Sequence, residues 1–135
     1  MRKKSQGNVM NLVTIGLSIL AMTIVVTAYL QCTELMLKKT EVSQVSRKYI
    51  LKMETEGYLS QSNENAMIQE LRNLGVQNID LTGTTQSPVT YGDTIILSIR
   101  GNIRMNMVDV EEVWNGGNST RTLKLEEKRM STAKN

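Results

Sequence analysis

The chain has 135 residues, with 40% hydrophobic, 21% charged and 4% aromatic content and a formal net charge of +3. That length allows one small domain with an appendage. One Cys and no His exclude an internal disulfide framework and a multi-Cys zinc site, and remove the commonest general base and metal ligand.

The charge is unevenly placed. Arg2, Lys3 and Lys4 match the whole excess, because residues 34–57 hold five bases and four acids and residues 58–135 hold eight bases and nine acids. A basic N-terminus ahead of a near-neutral remainder points to membrane orientation and away from a nucleic-acid surface.

No charged residue lies between Lys4 and Glu34. Val9 to Leu30 reads as a transmembrane helix, since roughly 20 apolar residues cross about 30 Å of hydrocarbon. Thr14, Ser18, Thr23 and Thr27 are tolerated there because a helix satisfies its own backbone. The basic leader predicts an inside N-terminus and an outside C-terminal region. Tyr29 sits where an interfacial aromatic belongs. Two other readings of such a run are a cleaved signal peptide, with Val26-Thr27-Ala28 as its small-residue site, and a buried core helix. Asn11, Thr14, Ser18, Ala21, Val25 and Ala28 recur in steps of three and four. They form a small, weakly polar seam of the kind that lets membrane helices approach closely.

Nothing breaks the helix at Leu30, and Glu34 to Glu56 holds neither Pro nor Gly. Leu35, Val42, Val45, Tyr49 and Met53 continue on one side. The expected helix runs from about Val9 to about Glu56, about 70 Å at about 1.5 Å per residue, with Gly57 as its C-cap. Cys32 lies just past the outer boundary and is read as an inert thiol, with an inter-subunit disulfide or a lipid as the other uses.

Ser60 or Ser62 suits the start of a second helix carrying Met67, Leu71 and Leu74, which Gly75 ends. Val76 to Thr82 suits a first strand with Ile79 and Leu81 on one side. Gly83 to Pro88 is a loop. From Ile95 to Met107 apolar residues fill the odd positions except Gly101, and polar residues fill the even ones except Ile96, so this is a long strand with one buried face. Gly101 marks a bulge, a bend or a close approach. Asn115 to Asn118 is turn-forming. Thr120 to Met130 suits a third strand with Leu123 and Leu125 inward. Glu127 breaks its alternation, predicting an end or a bulge there. Ser131 to Asn135 reads as a frayed tail.

The fold class is therefore α+β: a long transmembrane helix continuing as an amphipathic one, a short helix, and a small antiparallel sheet of about three strands. The segments are a basic leader at 1–8, the span at 9–31, an amphipathic extension at 32–57 and a small extracytoplasmic domain at 58–135. A domain this small needs a stripe of the long helix to cover its sheet.

No constellation for catalysis, cofactor or metal binding emerges. Glu111-Glu112 and Glu126-Glu127 are adjacent carboxylates that a strand points to opposite faces, and they read as solvated charge. Asn118-Ser119-Thr120 fits the glycosylation pattern. Arg100 and Arg104 lie on the polar face of the long strand, read as solvated with a shallow partner surface as the other use.

The basic leader, Gly7, the uncharged helix with its amphipathic continuation and the sheet-bearing head resemble type IV pilin-like proteins. The closest resemblance is to the TadE-like minor pilins and related bitopic proteins of Gram-positive bacteria. The resemblance implies peptidase processing after Gly7, leaving Asn8 first. The family's Glu at the fifth mature position is replaced by Leu12, with Asn11 beside it. It also implies a structural, non-enzymatic subunit of a surface-appendage, secretion or conjugation assembly. Its partners would be the bilayer and other membrane helices or pilin-like subunits, with no nucleic acid and no small-molecule substrate. The other reading is an unprocessed bitopic accessory or scaffold protein whose outer domain binds an envelope-complex partner.

Overall fold

The computed structural model describes residues 3–107 and 119–135, with side chains over 7–105 and 120–135. Two helices precede a three-stranded antiparallel sheet: α1 (Lys3–Glu56), α2 (Gln61–Asn73), β1 (Val76–Asp80), β2 (Thr94–Met107) and β3 (Ser119–Thr132), in the sheet order β1-β2-β3. This is the expected α+β layout. Helix α1 starts at Lys3, ahead of the expected Val9, and ends at Glu56 as expected. The chain divides into two units between Leu35 and Met36.

In the first unit the side chains of α1 are almost all exposed, among them Leu12 at 73%, Ile19 at 63% and Met22 at 71%. The hydroxyls of Thr14, Ser18, Thr23, Thr27 and Thr33 each donate to the carbonyl four residues back, at 2.8–3.0 Å. A polar side chain closed onto its own helix needs no outside partner, which suits it to an apolar solvent.

In the second unit, Val42, Ser46, Tyr49, Ile50 and Met53 of α1 are buried with Met67 and Leu71 of α2 and Ile95, Leu97, Ile99, Ile103 and Met105 of β2. The odd positions of β2 therefore face the core, as the alternation predicts. Ser46 and Ile50 extend the α1 stripe beyond the apolar positions first apparent in the sequence. The Oγ of Ser46 is buried with no hydrogen-bond partner. Gly57 closes α1 at a φ of +77°, and its N–H donates to the Met53 carbonyl at 2.7 Å. A Cβ there would sit 2.9 Å from Asn135 Nδ2 and from the Val89 carbonyl. Both the left-handed backbone and the close approach demand glycine. Ser60 occupies the N-cap position of α2 with extended backbone, but its hydroxyl makes no capping bond and instead accepts from Asn63.

Several expectations need correction. Strand β1 stops at Asp80, because Asn78 takes a φ of 51° and the register against β2 slips between Gln77 and Asp80. The bulge buries Val76 and Leu81 but leaves Ile79 half-buried. The Asp80 carboxylate then accepts from the Thr82 N–H and hydroxyl, a turn that ends pairing. Gly101 marks a close approach: a Cβ there would lie 2.5 Å from Val76 Cγ1. The irregularity it suggested sits opposite, in β1.

Strand β3 neither ends nor bulges at Glu127. Its pairing with β2 runs unbroken from Thr132 opposite Thr94 to Ser119 opposite Met107. Residues 131–135 are not frayed. Ser131 and Thr132 belong to β3 and Ala133 is buried. Backbone bonds tie Ala133 to Asp93 and Gly92 and Lys134 to Glu54. The Asn135 amide donates to the Val89 carbonyl at 3.1 Å. The turn at Asn115 to Asn118, the Glu111-Glu112 pair and Asn118 of the glycosylation pattern lie outside the described residues.

Beyond the end of β1 a loop takes over the edge of β2. Thr85 N–H donates to the Ile96 carbonyl at 2.8 Å, and the Thr84 hydroxyl both donates to the Ser98 carbonyl and accepts its N–H.

Candidate functional site

Three features of the chain bear on function: the exposed apolar helix, a polar groove between α1 and β3, and two ion-pair clusters that fasten α1.

The apolar helix is long and apolar enough to cross a membrane. Asn11, Thr14, Ser18, Ala21 and Ala28 all lie exposed along it. The seam's hydroxyls on Thr14 and Ser18 are donated internally, so what it offers a neighbour is chiefly small size. The Gly7–Asn8 bond lies within α1, and Gly7 meets nothing within 4 Å of an added Cβ. Cys32 is an exposed free thiol and Tyr29 is exposed. Lys3 and Lys4 are helical in backbone, while their side chains and Arg2 lie outside the described residues.

The groove includes Glu127, expected to be solvated and to end or bulge the strand. The odd positions of β3 keep one face throughout: Leu123, Leu125, Glu127, Arg129 and Ser131 are all half-buried. The first two cover the core. The next two turn charge toward α1, where Ser43 receives them. Arg129 Nη2 lies 2.7 Å from Ser43 Oγ, 3.4 Å from the Ser43 carbonyl and 3.2 Å from Glu127 Oε1. Ser43 Oγ in turn donates to Glu127 Oε1 at 3.4 Å. Glu127 is thus engaged and only 19% exposed, whereas Glu126 on the other face is 66% exposed beside Arg100. The adjacent pair does point to opposite faces, but only Glu126 is solvated. Charge turned inward on a strand at the sheet edge also discourages a further strand from pairing there.

Around this triad lies an open groove of about 550 Å³, lined by Met36, Lys39, Thr40, Ser43, Gln44, Arg47, Glu127 and Arg129. Its signal in the sequence is faint: a Lys and an Arg eight apart on α1, and an Arg two residues beyond a Glu on β3.

The first fastening cluster joins α1 to α2. Glu70 Oε1 accepts from Lys48 Nζ at 2.5 Å and from the Tyr49 hydroxyl at 3.0 Å. The ammonium groups of Lys48 and Lys52 approach the Tyr49 ring at 5.3 and 5.0 Å from its centroid. The Lys48 hydrogen bond holds the Glu70 carboxyl below the usual range. Burial, then the bond and charge of Glu70, push the Tyr49 phenol up to about 12. In the second cluster Glu54 accepts from Lys134 Nζ at 2.7 Å and from the Ser131 hydroxyl, and both, Lys134 first, hold its carboxyl low.

The Tyr49 shift fixes an alkaline limit. A phenol raised in the folded state stabilises fully below its unfolded value of about 10, and that contribution is lost as pH climbs from there to about 12. Unfolding measured across this window should show a stability loss that Tyr49→Phe lacks, and the variant should sacrifice about 1 kcal/mol at neutral pH through its missing hydrogen bond.

Among the described residues no group of three or more His, Cys, Asp or Glu side chains comes together to hold a metal ion. Arg100 and Arg104 are both exposed on the even face of β2. Compared with protein-family models, with curated proteins and with solved structures, the chain matches none.

Proposed function

We propose that this chain is a membrane-anchored, pilin-like (TadE-like) structural subunit of a surface-appendage, secretion or conjugation assembly. The observation that carries the reading is the exposed, charge-free run of α1, continued as the buried stripe of a small α+β head. The chain crosses the membrane once, with Arg2, Lys3 and Lys4 inside and the head outside. Its work is packing: the small seam from Asn11 to Ala28 meets other membrane helices or pilin-like subunits.

Mass spectrometry of the chain from its native host tests this. A mature N-terminus at Asn8, with co-purifying assembly subunits, supports it. An intact Met1 or formyl-Met1 without such partners overturns it. That result supports the second reading, an unprocessed bitopic accessory or scaffold protein of an envelope complex. Leu12 favours this second reading, since an apolar side chain at that position offers no carboxylate to pair with a neighbour's N-terminal amine.

A further inference from the structure

We infer that the groove between α1 and β3 is a docking surface for a second copy of this chain, whose Glu41 enters it between Lys39 and Arg47. The inference rests on the membrane reading above, because a shared bilayer is what sets two α1 helices parallel and at one level.

Unsatisfied charge singles out both faces. Three cations line the groove, Lys39, Arg47 and Arg129, against one carboxylate, Glu127, which Arg129 and Ser43 already hold. Lys39 and Arg47 are exposed and form no ion pair or side-chain hydrogen bond among the described residues. Among those same residues Glu41 is the one acidic side chain left without such a partner, and it too is exposed. The others are engaged, as Glu54 is by Lys134, Glu70 by Lys48 and Glu56 by Asn63.

Glu41 cannot reach the groove of its own chain. It is two residues from both Lys39 and Ser43, so a helix of about 3.6 residues per turn turns it to the far side. There it lies on the α2 flank, beside Glu70 and Leu74. Along the axis, at about 1.5 Å per residue, it is about 3 Å from the level of Lys39 and about 9 Å from that of Arg47. A parallel neighbour at the same level therefore brings its Glu41 between those two cations. Leu37, four residues before Glu41 and so on the same face, is 59% exposed, and Met36 of the groove is 64% exposed. The same approach brings these two apolar side chains together. An open groove of about 550 Å³ admits the flank of a helix.

Groove against groove would oppose like charges. The contact therefore joins two different faces and can repeat from copy to copy. Height selects a protein anion over a lipid one. Lys39 and Arg47 follow Leu30, where the apolar run ends, by nine and seventeen residues. That is about 14 and about 26 Å of helix, whereas a headgroup layer is about 5–8 Å deep.

The test uses the full chain in uncharged detergent, with analytical ultracentrifugation over a concentration series. The chain should self-associate. Glu41→Lys should weaken that association at least about fivefold, since an exposed ion pair contributes up to about 1 kcal/mol. Lys39→Glu with Arg47→Glu should do the same. Mixed together, these two variants should associate with each other, because each offers the charge that the other's altered face now needs. The control pair Lys124→Glu with Lys128→Glu, on the outer face of the sheet, should associate as the parent chain does. None of these side chains makes a hydrogen bond or ion pair among the described residues, so melting temperatures should hold. A chain that stays monomeric overturns the contact. So does a mixture that fails to associate, or a control pair that weakens association as much as the groove pair. A groove pair that weakens association while Glu41→Lys does not overturns Glu41 as the occupant. Alkaline carbonate extraction of cell membranes reads the anchor separately: release of the chain refutes the membrane reading whatever the variants do.

Discussion

Ile19→Lys combined with Met22→Lys should shift the chain from the carbonate-resistant membrane fraction to the soluble or degraded fraction. Both residues lie near the middle of the run from Val9 to Leu30, and both are exposed. A lysine near the centre of a membrane helix opposes insertion by about 2.5–3.5 kcal/mol, so the pair opposes it by about 5–7 kcal/mol. Lysine is also a good helix former, so the loss would not come from a broken helix. Leu37→Lys with Leu51→Lys serves as the control. Those side chains are just as exposed on the same helix, but beyond the charge-free run, and fractionation should not change. A central pair that stays in the membrane fraction would mean that partner proteins, rather than hydrocarbon, hold this helix.

Gly101→Ala should destabilise the head by about 1–3 kcal/mol through overpacking. Its new Cβ would lie 2.5 Å from Val76 Cγ1 and 3.2 Å from the Gln77 carbonyl. Both strands are constrained there, β2 by its unbroken pairing with β3 and β1 by its register with Asn102 and Ile103. The clash therefore has no soft side chain to absorb it except Val76 itself. Val76→Ala removes that methyl and by itself leaves a small cavity, because Val76 is fully buried. The double variant should be more stable than the sum of the two single losses by at least about 1 kcal/mol, the coupling of residues in contact. Additive losses in chemical denaturation would show that the Val76 methyl is not what the new Cβ meets.

These two positions show how differently the sequence speaks about its parts. Period-two alternation placed Ile95, Leu97, Ile99, Ile103 and Met105 in the core, and all are buried. The pattern is strong because every inward residue is apolar except the glycine. In β3 the same period continues, but its inward residues change from Leu123 and Leu125 to Glu127 and Arg129. Polarity alone then reads as a strand end. Glu127 and Arg129 pair with each other and meet Ser43, 84 and 86 positions earlier, and no local signal records that distant partner. The C-terminal residues carry the same lesson. Ser131 to Asn135 hold only one apolar residue, Ala133, the composition of a loose end. Glu54, Asp93, Gly92 and Val89 nevertheless hold them by backbone and side-chain bonds. Around the end of β1 the apolar residues Ile79 and Leu81 suggest one common face, yet the left-handed Asn78 inserts a bulge between them and Val76.

By itself the sequence determined the long apolar helix, its end at Gly57, the second helix and the core face of the long strand. Each follows from a periodicity or a terminator within a few residues. The inward Glu127–Arg129 pair, the groove it forms with Lys39 and Arg47, and the fastening of residues 131–135 were decided only by the tertiary structure. Polar side chains become buried when a distant partner satisfies them, and that partner is set by the fold, not by neighbours along the chain.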